Sequence, residues 1–321
     1  MTEVNLALVA DIGGTNVRFG LVRRGETSPQ QEHNLRCADF SGPVEAARHY
    51  LDLVGKPAIR TGAFDVATAV TEDTIRLTNG PWSFSVSATR DALGLERLHV
   101  INDFTALALA LPILKGDEKR QIGGGAPVAG SAIGVIGPGT GLGVSGLVHD
   151  AGRWVPLLGE GGHVAFSPMT DREDQILRLL RRDYGTHVSN ERLLSGMGLT
   201  NIFRALCALD GETPRALEPA QITGKALDGS DARCRETVEI FCGALGTAAA
   251  NVAVTLGARG GIFIGGGIVP KLGGYLDGSV FRQRFEDKGR YRAYLSGIPT
   301  YVIVAETPAL KGLATLLTYS N

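Results

Sequence analysis

At 321 residues the chain is long for one domain and suits two, given ~100–200 residues for each. Its 32 Lys and Arg balance 33 Asp and Glu, and a net charge of -1 leaves no basic footprint for nucleic acid or an anionic membrane. Four cysteines without a Cys-x-x-Cys pair (Cys37, Cys207, Cys234, Cys242) argue against a disulfide scaffold and a zinc site, and fit a reducing cytoplasm.

In chain order, VNLALVA (4–10) reads as a buried strand, because no basic segment precedes it and Asp11 interrupts its apolar run; a signal peptide is not expected. DIGGTN then turns the chain into a second strand, VRFGLV (17–22), which predicts a hairpin. AFDVATAV (63–70) and TIRLTN (74–79) read as two further strands. LHVIND runs from strand into helix at Asp103, and AIGVIG, PGTGLG and VSGLVHD repeat the hairpin theme across 132–150. DREDQILRLLRRDYG opens with acids and closes with bases and Gly185, as a helix dipole favours. The longest helix is expected from Asp231 to Leu256, with Val238, Phe241, Cys242, Leu245, Ala249, Val252 and Leu256 on one buried face. GIFIGGGIVP is a short strand entering a glycine turn; TYVIV (300–304) is a strand, and PALKGLATLL a terminal helix. No apolar run reaches the ~18–20 residues of a membrane span. The Gly-Thr turns of DIGGTN and GPGTGLG resemble each other and hint at duplicated halves.

Glycine is unusually abundant, with 44 residues gathered in knots, and several knots suggest several backbone segments converging on one ligand. Gly141-Leu-Gly143-Val-Ser-Gly146 matches the dinucleotide fingerprint in letters only, since β-rich sequence follows where a helix must open. No Walker A motif is present. A hairpin turn of backbone N–H groups with a Thr hydroxyl can instead cradle phosphate without lysine. One such turn alone reads as a tight hairpin; two matching turns together with GGGIVP favour phosphate.

The polar residues admit two readings each. Asn102 and Asp103 open an apolar helix, either as caps for orphan N–H groups or as chemistry at the edge of a dry pocket. Glu160 and His163 of GEGGH could bind sugar hydroxyls, as carboxylate and imidazole together offer acceptors and donors, or be incidental charges on a glycine-rich loop. Glu191, after Ser189 and Asn190, reads as a first-turn helix acid. Asp11 is either a turn cap or a Mg²⁺ partner.

The ordered set DIGGTNVR, INDFTALALALP, GPGTGLG, LLGEGGHVAFSP, SNERLLSG and GGIFIGGGIVP resembles the bacterial glucokinase family, the ATP-dependent branch of the sugar kinase, heat-shock protein and actin superfamily. The resemblance runs from residue 6 to the terminal helix. It implies an α/β, two-lobed actin-like ATPase (ribonuclease H-like) fold with a cleft between the lobes. The small lobe would be 1–112 completed by about 301–321, and the helix-rich large lobe 113–300. It implies transfer of the γ-phosphoryl of ATP to the 6-hydroxyl of glucose, giving glucose 6-phosphate and ADP in glycolysis, by a cytoplasmic homodimer using Mg²⁺. Carried over residue by residue, Ala10, Asp11, Ile12, Gly13, Gly14, Thr15 and Asn16 lie on the phosphates. Gly137, Gly139, Thr140 and Gly141 oppose them, with Gly265, Gly266 and Gly267 at the nucleoside. Asn102, Asp103, Glu160, His163 and Glu191 bind glucose, with Asp103 as general base and Asp11 toward Mg²⁺, through water. Ala10 departs from the glycine common there, at little cost to a strand end. In the related repressor/kinase family a His at the position of His163 works with a cysteine cluster; HVAFSPMT has none, so zinc is not expected.

Three rivals remain at this stage. A kinase of another hexose or an acetamido sugar would use the same hydroxyl-binding set. A sugar-responsive regulator would carry a helix-turn-helix, for which the start at the first strand leaves no room. A nucleotide switch would need the turns but not Asn102, Glu160, His163 and Glu191 together.

Overall fold

The computed structural model describes residues 6–77 and 80–319. They fall into two compact units: residues 1–114 with 152–156 and 305–321, and residues 115–151 with 157–304. Val4, Asn5, Thr78 and Asn79 of the expected strands lie outside the described residues.

The first unit is built on β1 (Leu6–Ile12), β2 (Asn16–Arg23), β3 (Gln30–Arg36), β4 (Ile59–Val66) and β7 (Arg97–Asn102), in the order β3-β2-β1-β4-β7. β1 and β2 form the expected antiparallel hairpin, while β4 and β7 add in parallel. Parallel strands need crossovers; α1 (Pro43–Leu53) lies between β3 and β4, and the small hairpin β5 (Thr74–Arg76) and β6 (Ser83–Ser85) with α2 (Val86–Ala92) lies between β4 and β7. Strand alternation sorts the residues by face. Leu8, Ala10, Ile12, Phe64 and Val66 join Phe19, Tyr50 and Trp82 in one core. Ala7, Val9 and Ala63 join Ala106 of α3 (Asp103–Ala110) and Leu310, Leu313 and Ala314 of the C-terminal helix (Pro308–Tyr319) in another. The same two-residue period carries Asp11 and Asp65 onto the face covered by α3. β4 stops at Val66 instead of running to Val70, and β3 has no sequence signature because every residue of QQEHNLR but Leu35 is polar and exposed.

The C-terminal helix meets α3 backbone to backbone. A Cβ on Gly312 would sit 1.7 Å from the carbonyl oxygen of Ala106, so only glycine allows this approach.

In the second unit β8 (Lys119–Ile122), β9 (Ile133–Pro138) and β10 (Leu142–Asp150) come first, and β12 (Ile262–Ile264) and β13 (Thr300–Ile303) come much later; β11 (Arg153–Leu157) follows β10 and has residues 153–156 grouped with the first unit. β9 and β10 are an antiparallel hairpin; β12 joins β9 in parallel, β13 joins β12 in parallel, and β8 closes the edge antiparallel to β13. The first unit resumes after β13, at Ala305. The helices α4 (Asp171–Tyr184), α5 (Gly196–Leu209), α6 (Pro219–Leu227) and α7 (Ala232–Leu256) carry most of this unit's core.

α7 starts where the sequence places it, because Asp231 accepts from the N–H groups of Arg233 (2.9 Å) and Cys234 (3.0 Å). It ends at Gly257, which takes the left-handed conformation with φ 61°. By length and composition α7 is apolar enough to cross a membrane, contrary to the expectation that no run qualifies; yet 72% of that window is buried inside the protein. In α4, Thr170 caps the N–H of Glu173 at 3.2 Å, but the Glu173 side chain does more than complement a dipole. It is buried and forms a two-pronged ion pair with Arg284 (2.8 and 3.1 Å), whose guanidinium also reaches Thr247.

Candidate active site

In the first unit three acids converge on the end of β1. Asp11 and Asp65 are paired in register across β1 and β4, and Asp103 opens α3 directly after β7. Asn102 caps α3: its Oδ1 accepts from the N–H groups of Phe104 (2.9 Å) and Thr105 (3.3 Å). Its Nδ2 donates to the Thr68 carbonyl (3.3 Å) and to Asp103 Oδ1 (2.9 Å). The Phe104 N–H also donates to Asp103 Oδ1, at 2.9 Å. Capping therefore falls to Asn102, and the carboxylate beside it is oriented by the cap.

Burial pushes the Asp103 carboxyl up to about 6; the nearby charge of Asp11 adds to the rise, and the bonds from Phe104 and Asn102 oppose it. Asp11 is also raised, chiefly by burial, with a hydrogen bond to Asp65 and the charge of Arg18 working the other way. Asp65 is held far above the carboxylate range by complete burial and by the charges of Asp11 and Asp103. Neither Asp65 oxygen receives a bond from an N–H or O–H donor among the described residues. Its neighbour is another carboxyl group, and two carboxyls share a hydrogen bond only if one carries a proton. Burial and the neighbouring charges favour the proton on Asp65, the more buried of the two, because a buried bare carboxylate is the costlier state.

The β1–β2 turn holds Gly13, Gly14 and Thr15. The Gly13 N–H donates to Asn16 O (2.9 Å), and Thr15 O accepts from the Cys37 N–H (2.8 Å). Thr15 and Asn16 are exposed, Ala10 and Ile12 buried.

The second unit brings together motifs spread over residues 137 to 267. In the β9–β10 turn the Gly139 N–H donates to Gly141 O (2.8 Å). The GGG segment packs on the end of β9: Gly265 N–H donates to Ile136 O (2.9 Å) and Ile268 N–H to Pro138 O (3.2 Å). Gly266 has φ 77°, and a Cβ there would lie 2.3 Å from Pro138 O. The GEGGH turn lies on the start of β10, where a Cβ on Gly162 would come within 2.0 Å of Leu142 O. Glu160 and His163 are exposed on that turn, and the His163 carbonyl accepts from His187 Nε2 at 3.0 Å. The segment after it pairs with the one before Glu191 through Phe166 N–H to Val188 O and Asn190 N–H to Val164 O, both 2.8 Å. Glu191 sits in a single three-residue turn rather than at the head of a long helix; α5 starts later, capped by Ser195. The Glu191 carboxylate turns instead to the β9–β10 turn and accepts from the Leu142 N–H at 3.0 Å.

Residues 8–320 match the model of the family described as Glucokinase. A glucokinase of Chromobacterium violaceum is 53% identical over 96% of this chain and 88% of its own length. The crystal structure of a glucokinase from an Antarctic psychrotroph superposes with a TM-score of 0.90 at 37% identity, covering 98% of this chain and 99% of that one. The chain belongs to the glucokinase family. Its reaction is phosphorylation of glucose with ATP. A ROK-family glucokinase of Streptomyces griseus, solved in complex with glucose and AMPPNP, shares the α/β fold at a TM-score of 0.62 and 20% identity, over 97% of this chain and 98% of its own.

Two features of this glucokinase-family chain were missed in the sequence. Asp65 is hidden in an apolar strand, and its one signal, an acid within AFDVATAV, gains meaning only from the register with Asp11. The bond from Leu142 to Glu191 joins residues 49 positions apart in the chain and leaves no local pattern.

Proposed function

We propose that Asp103 is the general base that takes the proton of the glucose 6-hydroxyl as this oxygen attacks the γ-phosphorus of ATP. The O–H bond breaks toward Asp103, the new O–P bond forms, and ADP leaves with the electrons of the old one. Asn102 and the Phe104 N–H hold Oδ1, so Oδ2 is the oxygen left to take the proton. The observation that carries this role is the placement of Asp103 at the head of α3, with one oxygen held by Asn102 and the Phe104 N–H; a carboxyl pushed up by burial suits a general base. Asn102 also positions a neighbouring hydroxyl, and Glu160, His163 and Glu191 hold the remaining ones.

Each Gly-Thr turn leaves two successive N–H groups without a protein acceptor among the described residues, Gly14 and Thr15 in one and Thr140 and Gly141 in the other. These donors suit phosphate oxygens, while Gly265 and Gly266 pack on β9 and Gly267, where a Cβ would meet nothing within 4 Å, leaves room for the nucleoside. Asp11 offers hard oxygen donors of the kind Mg²⁺ takes, through water. When bound, Mg²⁺ neutralises charge on the transferring phosphoryl oxygens. Work in glycolysis, a cytoplasmic location and a homodimer complete the reading; four free, buried thiols fit a reducing compartment.

A coupled assay of ADP formation over glucose, mannose, fructose and N-acetylglucosamine tests it. Glucose is expected to give the highest kcat/KM; a higher value for another sugar would reassign the substrate.

A further inference from the structure

The bond from Leu142 to Glu191 has a partner on the other side of the turn. Gly196 N–H donates to Gly139 O at 2.9 Å, and Ser195 Oγ returns to Glu191 O at 2.8 Å. The segment from Glu191 to Gly196 thus grips both ends of the Gly139–Leu142 turn. The fit around the carboxylate is close: a Cβ on Gly141 would lie 2.6 Å from Glu191 Oε2. A hydrogen bond to a charged acceptor is stronger than a neutral one, and it fixes the plane of the peptide between Gly141 and Leu142. That peptide follows the two N–H groups left open for a ligand.

We propose that Glu191 is a positioning residue for the nucleotide as well as a sugar ligand, and that it acts by clamping the second phosphate turn through the Leu142 amide. This rests on the reading that the turn binds phosphate. A residue that only bound sugar would have no influence on nucleotide affinity when no sugar is present.

The test is calorimetric titration of the full chain with ADP, and with AMPPNP and Mg²⁺, in the absence of glucose. E191A should weaken both nucleotides by about ten- to a hundredfold, the worth of a hydrogen bond to a charged group. E191Q keeps an oxygen that can accept from Leu142 in a neutral bond roughly half as strong, and should weaken nucleotide binding only about three- to tenfold, less than E191A, while binding glucose more weakly. Equal nucleotide affinity in E191A and the parent overturns the proposal, whatever happens to glucose. So does an equal loss in E191A and E191Q, which would make charge and not the hydrogen bond responsible. Thermal melting of each variant reports folding. Should E191A not fold, G141A serves, because its methyl group displaces the same carboxylate and should produce the same loss. T140P, which removes the Thr140 N–H, separates the two ideas: if it folds and leaves nucleotide affinity unchanged, the phosphate reading of the turn fails as well.

Discussion

The two Gly-Thr turns are made alike and supported differently. Each joins an antiparallel hairpin whose first strand has a parallel neighbour, β4 beside β1 and β12 beside β9. In both, the first glycine N–H is tied inside the turn and the next two have no protein acceptor among the described residues. Behind the first turn stand carboxyl groups, Asp11 and the buried Asp65, with Asp103 near them. Behind the second no carboxyl shares the strand register; one carboxylate, Glu191, reaches in and satisfies a backbone amide. Acid near the first turn repels phosphate unless a cation or a proton offsets it. Acid at the second is hydrogen-bonded by the turn itself. A repeated hairpin can therefore be tuned by what lies one layer behind it.

The sharpest break of this comparison is on the side of the three acids. Asp103→Asn should lower kcat by about 10²–10⁴, the contribution of a general base, with AMPPNP binding retained; near-normal turnover in the coupled assay would remove Asp103 from the chemistry. The same variant should melt higher at pH 7. Because the folded carboxyl titrates above its ordinary value of 3.8, at about 6, the folded state binds the proton more tightly, and stability falls as pH rises from about 4 to 6. Removing that charge restores on the order of 1–3 kcal/mol above pH 6, readable in denaturant melts at pH 5 and pH 7.5.

Next in size is Gly312→Ala, which places a methyl group against the Ala106 carbonyl and must push the C-terminal helix from α3. A loss of roughly 1–3 kcal/mol is expected with a drop in kcat; an unchanged midpoint of urea unfolding would show that the contact is soft. Glucose turnover should also decline below about pH 6 as Asp103 protonates, and a flat kcat profile from pH 5 to 8 would contradict the base assignment. Smallest is Asp65→Asn. The amide keeps a donor toward Asp11 and adds no charge, so kcat should stay within about threefold, whereas Asp65→Val removes the donor and should raise the KM for ATP. Identical kinetics of the two variants would show that Asp65 does not orient Asp11.

Local chemistry is what the sequence reveals. The β1–β2 hairpin, the Asn102 cap, the Asp231 start and the Gly257 stop of α7 are each written within a few residues, because capping and turns act over that range. Strand ends and distant pairings are different. AFDVATAV is apolar but for Asp65 and Thr68, and nothing in it says that Val66 is the last paired residue. The acid in its middle faces Asp11 through pairing of strands far apart in the chain. Glu173 looks like a first-turn helix acid, yet its partner Arg284 lies 111 residues on. Glu191 misleads in the same way, since an acid after Ser-Asn has the letters of a helix start.

The long apolar helix α7 has one more consequence. Folded, it is wrapped by α5, α6 and the short helix Phe281–Glu286. Once heated past melting, a segment with the character of a lipid-spanning rod meets water, together with the thiols of Cys234 and Cys242 that it carries. Clumping is then expected to outrun refolding, and a thermal scan should show an irreversible transition whose apparent midpoint follows the scan rate.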